Sequence, residues 1–369
     1  MRVEKGIHIV SLVLILCICL TACGLNTTTE PTNSPTLEDY NNEIVVDVSK
    51  TEGKDIENES ESVMTDTSVQ PEIVETVTGD IIVKFIDVDQ ADSCLIITAN
   101  KDAILIDAGE DKDAEEILDV LDDYDLEDID LMVLSHPHAD HIGGAQTILE
   151  NYKVEEVMMC SFVATSKLFE NLITTLENQN IEVTAATVGY TLSIDGVNIQ
   201  VVGVDSNPKD NNNSSIVMKV SYGTVDMLFT GDAEHPAEEI ILQGDFDLNA
   251  EILKVGHHGS DTSTSDAFLE AINPKVAIIS VGAENSYGHP SDEVLNKLTN
   301  KGVQVYCTDD FGTITLEIDG ENIVTSFEDS FEATNARSGN FLYSPNVAEI
   351  ELDMNSIVAE NSEKNTNQE

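Results

Sequence analysis

Three histidines and an aspartate fall within six residues in Ser135-His136-Pro137-His138-Ala139-Asp140-His141-Ile142-Gly143-Gly144. One residue separates His136 from His138, so an extended or turning backbone can aim both imidazoles at one ion. Asp140 and His141 follow at the start of the next helix and can address a neighbouring ion. Imidazole and carboxylate together suit zinc, manganese or iron. Gly143 and Gly144 are expected to keep the approach free of Cβ atoms.

Two further apolar runs close on polar residues of the same kind. Phe229-Thr230-Gly231-Asp232 ends in an aspartate, which is costly at the end of a buried strand unless it is paired or binds metal. Asp232 is therefore expected to bridge two ions. Lys254-Val255-Gly256-His257-His258-Gly259-Ser260 places two histidines side by side. Neighbours on a turn point in different directions, so one of the pair is expected to coordinate. His258 is favoured as a ligand to the first ion, with His257 beside it in the outer shell. His289, in Asn285-Ser286-Tyr287-Gly288-His289-Pro290, is expected to complete the second ion's shell. Asp107 ends the run Ile104-Leu105-Ile106 and is expected to orient a ligand imidazole. His235 lies outside every motif and reads as a surface or helix-start residue.

The elements that must position these residues are short. β-rich runs recur from Ile81–Ile86 to Gly312–Ile318, with helix-like stretches such as 114–121, 167–179 and 292–298 between them. Many short strands with intervening helices predict an α/β fold with a two-layered sheet core flanked by helices. The organised region is expected to cover residues 79–320. Residues 24–78 carry 13 acids against Lys50 and Lys54 and have almost no apolar run, so they read as an acidic flexible tether. Residues 321–369 read as an acidic C-terminal tail.

The first 23 residues read as an address. Arg2 and Lys5 precede an apolar stretch, Ile7–Leu20, that is short for the roughly 20 residues of a spanning helix. It fits a signal peptide. The following Leu20-Thr21-Ala22-Cys23 resembles a bacterial lipobox, in which Cys23 is lipidated and becomes the mature N-terminus. A lipid anchor would hold the domain on the extracellular face of the cytoplasmic membrane. Cys94, Cys160 and Cys307 sit in or beside apolar runs and read as small hydrophobes, without metal-ribbon spacing.

These motifs together resemble the metallo-β-lactamase-fold hydrolases, specifically the family containing the extracellular hydrolase domain of ComEC-type DNA-uptake proteins. Phe85-Ile86-Asp87-Val88-Asp89-Gln90-Ala91-Asp92 is similar to that family's opening FLDVGQGD, with Asp89 and Ala91 where glycines are usual. The metal motif matches at His136, His138, Asp140 and His141, and the later TGD and HHGS motifs match at Thr230–Asp232 and His257–Ser260. Asn213-Ser214-Ser215 resembles the polar segment before the family's next strand. The resemblance implies a four-layer αββα fold, helices–sheet–sheet–helices, with two divalent transition-metal ions, zinc or manganese, at one sheet edge. The reaction expected of such a site is hydrolysis by a hydroxide held between the ions, with Asp140 as proton acceptor and His257 assisting the leaving group or steadying the oxyanion.

Charge narrows the substrate. The chain carries 17 basic residues against 70 acidic ones, a formal charge of -53, and its only arginines are Arg2 and Arg337. Residues 79–320 alone hold 46 acids and 11 lysines, which excludes a basic nucleic-acid-coating surface. The resemblance implies a phosphodiesterase or nuclease-like enzyme, and the acidity leaves short or transient phosphodiesters as its preferred substrates. A phosphorylcholine-esterase-like or other ester or lactone hydrolase is the alternative, as is a non-catalytic surface binding protein stabilised by metal. No GxSxG elbow supports serine chemistry, and Gly143-Gly144 is not a phosphate-binding loop. Oligomeric state is not legible.

Overall fold

The computed structural model describes residues 79–205 and 207–328, together with the backbone of one further strand, Ile350–Asp353. The expected signal peptide with Cys23, the tether and the rest of the tail lie outside the described residues.

Six strands come first: β1 (Ile81–Phe85), β2 (Cys94–Ile97), β3 (Ala103–Ile106), β4 (Ile129–Leu134), β5 (Val154–Met159) and β6 (Glu182–Ala185). Next are β7 (Thr191–Ile194), β8 (Val197–Gly203), β9 (Val217–Tyr222), β10 (Val225–Phe229), β11 (Ile252–Lys254), β12 (Val276–Ile279) and β13 (Gln304–Cys307). The chain then returns to the first sheet with β14 (Ile314–Ile318), β15 (Asn322–Phe327) and β16 (Ile350–Asp353).

Two sheets result, ordered β16-β15-β14-β1-β2-β3-β4-β5-β6 and β13-β12-β11-β10-β9-β8-β7. Both follow one plan. β3 to β6 are parallel, as are β10 to β13, and each parallel set continues into antiparallel neighbours. β2, β3, β11 and β12 are buried at every position, because a strand near the sheet centre is covered on one face by the other sheet and on the other by helices.

The facing sides of the two sheets share one core, in which Phe85 stacks on Phe229 at 5.9 Å. The outer side of the first sheet packs on helices Ala114–Asp123, Ala145–Asn151 and Lys167–Gln179. The outer side of the second packs on His235–Ile241, Asp266–Ile272 and Asp292–Asn300. This is the four-layer αββα arrangement. Serines 166, 265 and 291 cap three of these helices by accepting from the backbone N–H three residues on, each contribution being about 1 kcal/mol. His235 opens its helix, as its position suggested.

The sheet does not stop near Gly320, which corrects that boundary. β15 pairs with β14 over Ile314–Ile318, and β16 pairs with β15. In β15, Ile323 and Thr325 turn inward and are almost wholly buried. A period-2 pattern this short sits among acidic residues and is decided by the open edge of β14. Among the described residues, no helix is long and apolar enough to cross a membrane.

Gly143 and Gly144 serve packing rather than access. A Cβ on Gly143 would stand 2.4 Å from the Ala139 carbonyl oxygen, and one on Gly144 would stand 2.3 Å from that of Ala108. The backbone after β3 passes directly against them, so the helix bearing the histidine motif is pressed onto that loop.

Candidate metal centre

The chemistry-bearing residues gather where parallel strands of both sheets end. β3 leads into Asp107, β4 into Ser135 and His136, β10 into Asp232, and β11 into His257 and His258. Loops at the carboxyl ends of such strands are free of ladder bonds and converge at one edge, the usual location of sites in α/β sheets.

Asp107 contacts both Ser135 and His141. One carboxylate oxygen accepts from the Ser135 backbone N–H at 2.7 Å, and the other accepts from the Ser135 hydroxyl at 2.8 Å and lies 2.8 Å from His141 Nδ1. With Nδ1 donating to that oxygen, His141 presents the Nε2 lone pair. His258 is set in the same way, its Nδ1 donating to the Ser280 carbonyl at 2.9 Å. Both Nε2 atoms are buried without a hydrogen-bond partner, and so is Asp232 Oδ1. His141 Nε2 lies 3.2 Å from Asp232 Oδ1, and His258 Nε2 lies 3.4 Å from Asp140 Oδ2 and 3.9 Å from Asp232 Oδ1. Acceptors buried face to face repel one another unless a cation or protons lie between them. Asp140, His141, Asp232 and His258 therefore fit one divalent ion.

The other oxygen of Asp232 faces a second set. His136 Nε2 is 3.7 Å and His257 Nε2 is 3.8 Å from Asp232 Oδ2. His136 Nε2 and His138 Nδ1 are 3.0 Å apart, close enough to serve one ion. His136, His138 and Asp232 form the second ligand group. Asp232 is thus shared between both groups, one oxygen to each, and its backbone N–H donates to Ser215 Oγ at 3.0 Å.

Two assignments change. His258 joins Asp140 and His141, whereas the expectation placed it with the first ion; His257 is in neither ligand group, its Nε2 standing 3.8 Å from Asp232 Oδ2 on the His136–His138 side. Both residues adopt left-handed backbone, with φ of 51°, and this turn sends consecutive rings to different oxygens of one carboxylate. His289, expected in the second ion's shell, belongs to neither group. Its ring stands edge-on to His257 with centroids 5.5 Å apart, and it lines the same cleft as His138, Asp140, Asp232, His257 and His258.

Protonation is distributed by these contacts. Burial and the charge of His141 hold His136 well below the ordinary imidazole value. Burial works against charge on His141 too, but Asp232 and Asp107 outweigh it and hold that pKa well above normal. His258 is raised as well, since Asp92 and Asp232 prevail over desolvation. Burial pushes Asp140 up, yet the His258 hydrogen bond and the His141 charge bring it down to about 2. Without metal, protons on imidazole balance the buried carboxylates; divalent ions would displace them.

Several contributors escaped the sequence reading. Asp92 and Lys254 form a buried ion pair at 2.9 Å behind the site, with Asp92 also 3.6 Å from His258 Nδ1. Glu234 accepts from Asn212, Asn213 and Thr262 and stands 3.3 Å from His257 Nδ1. The signals were present in the Gln90-Ala91-Asp92 and Lys254-Val255-Gly256 stretches, but a charge inside an apolar run does not name its partner. Asp89, standing where a glycine is usual, adopts the left-handed φ of 54° that a glycine would supply. Cys94 and Cys307 are buried thiols, as read, while Cys160 is half-buried.

Residues 87–283 match the family model of the metallo-beta-lactamase superfamily. The chain belongs to that superfamily and is a metal-dependent hydrolase. Among curated proteins it is 32% identical to ComE operon protein 3 of Bacillus subtilis over 190 residues, covering 51% of this chain and 24% of that protein. It is 30% identical to competence protein ComA of Neisseria gonorrhoeae over 232 residues, 62% of this chain and 31% of that one. The chain thus spans between a quarter and a third of these relatives. Among solved structures, the metallo-beta-lactamase fold protein YhfI from Bacillus subtilis aligns at a TM-score of 0.44 and 13% identity, covering 65% of this chain and 100% of that one.

Proposed function

We propose that this chain is a two-metal phosphodiesterase of the nuclease-like, ComEC-related kind, acting outside the cytoplasmic membrane on short or transient substrates. The observation that carries the reading is Asp232, whose two oxygens face two separate imidazole groups. When bound there, two divalent ions, zinc or manganese, supply Lewis acidity and a water of lowered pKa. The residues supply the rest. Asp140, ionised at neutral pH and with its side chain 29% exposed, is placed to accept a proton from attacking water. His141 and His258 are held by Asp107 and Ser280 so that their geometry survives turnover. The acidity of the domain opposes tight nonspecific nucleic-acid binding.

The test is hydrolysis of an activated phosphodiester by the purified protein with manganese or zinc. Asp140→Asn should reduce turnover by about 10²-fold or more. Equal turnover in folded wild type and variant would remove Asp140 from the reaction. Cleavage of carboxylic esters or lactones alone would replace the phosphodiesterase reading.

The placement rests on the lipobox-like Leu20-Thr21-Ala22-Cys23. Labelled fatty acid should enter the wild-type chain and not Cys23→Ala, which should leave the membrane fraction. Unlabelled wild-type protein, or full membrane retention of the variant, would reject the lipid anchor.

A further inference from the structure

We propose that Tyr287 determines substrate choice: its open ring is a platform on which a flat base of the substrate stacks while the phosphodiester lies at the metal centre. The proposal deepens the phosphodiesterase reading and rests on it.

Tyr287 is 73% exposed, the most exposed of the large hydrophobic side chains among the described residues, and it lines the cleft that holds the metal ligands. One face of its ring is occupied by His289, stacked at 5.7 Å with 25° between planes. His289 in turn meets His257 edge-on at 5.5 Å. His257, His289 and Tyr287 therefore form a row of three rings leading outward from Asp232 Oδ2, and the last is left open.

The loop that carries the ring is also held in place. The Asn285 side chain donates to the carbonyls of Gly282 and His289 at 2.8 and 2.7 Å, and it accepts from the N–H groups of Tyr287 and His289 at 3.2 and 3.0 Å. The loop is anchored below by the Ser291 N–H donating to the Gly259 carbonyl at 2.8 Å, directly beside the paired histidines. A large ring kept in water on a fastened loop is pre-organised contact area, because little conformational freedom is left to lose on binding.

Charge points to the same kind of recognition. No lysine or arginine lines the cleft among the described residues, and the described residues include no arginine at all. With no cationic side chain to grip a phosphate, affinity beyond the metal centre must come from uncharged contacts. Stacking on an aromatic ring is such a contact; it accepts any base and is little affected by an acidic surface.

The experiment uses the full chain loaded with manganese and compares ligands that differ only in the base. Calorimetry would measure binding of thymidine 5′-monophosphate and of 2-deoxyribose 5-phosphate. Kinetics would follow a thymidine dinucleotide and its abasic counterpart. Wild type should bind the base-bearing monophosphate at least about fivefold more tightly, the lower end for a single stacked base. Tyr287→Ala should abolish that preference and raise KM for the dinucleotide by at least about fivefold, leaving the abasic substrate and the metal content unchanged. Tyr287→Phe should behave as wild type, and Tyr287→Leu should fall between. The loss should persist at raised salt, because no ion pair is involved.

A base preference that is absent in wild type, or equal in wild type and Tyr287→Ala, would overturn the platform. An equal loss on base-bearing and abasic ligands would overturn it too, by showing that Tyr287 only supports the loop. If neither dinucleotide is cleaved while the Tyr287-dependent base preference in binding remains, the phosphodiesterase reading fails and the platform stands.

Discussion

Asp232→Ala is expected to empty both metal positions and to lower turnover by on the order of 10³-fold or more, the upper range for losing a single group that organises transition-state charge. The carboxylate is almost wholly buried, and its two oxygens lie between 3.2 and 3.9 Å from four imidazole nitrogens on two segments of the chain. Alanine would remove the only group common to both ligand sets. Elemental analysis should fall from close to two transition-metal ions per chain to less than one. Asp232→Asn, which keeps one oxygen, should retain more metal than alanine. His257→Ala and His258→Ala separate the two positions, because the first takes an imidazole from the His136–His138 side and the second from the Asp140–His141 side. Two ions bound at near wild-type turnover in Asp232→Ala would refute the bridge.

The largest effect on stability is expected behind the site rather than in it. Lys254 and Asp92 are 5% and 4% exposed, and the lysine ammonium also donates to the Val255 carbonyl at 3.1 Å. Lys254→Met retains the apolar stem but strands a buried carboxylate, which costs about 3–5 kcal/mol. For a domain of this size the Tm should drop by on the order of 10 °C. Adding Asp92→Asn removes the stranded charge, so the double variant should recover at least half of the loss; urea unfolding of wild type, both single variants and the double variant closes the cycle. Because Asp92 also lies 3.6 and 3.9 Å from the Nδ1 atoms of His258 and His141, the double variant should still bind metal less tightly. Independent, additive losses from the two substitutions would show that the pair contributes nothing as a pair.

Short-range chemistry was legible from residue order. His136, His138, Asp140 and His141 sit so close along the chain that most backbone paths leading out of a strand into a helix bring them together. Asp107 and Asp232 were legible because a carboxylate closing an apolar run needs a partner. The alternation of short β-rich runs with helical stretches was enough to specify layered sheets between helices, since each element must bury one face.

Tertiary structure decided everything that depends on direction or distance along the chain. Asp92 and Lys254 are 162 positions apart, and no local pattern pairs them. Which of His257 and His258 serves which oxygen of Asp232 follows from two successive left-handed residues. That conformation is imposed by the fold around the turn and not by histidine's own preference. His289 reached His257 rather than a ligand group because its loop is anchored to Gly259. β15 was misread as tail because its alternation is only six residues long and gains meaning only beside the open edge of β14. The physical reason is common to all four. Spacing along the chain constrains which groups can be close, but the direction in which a side chain points is set by backbone torsions that distant packing selects.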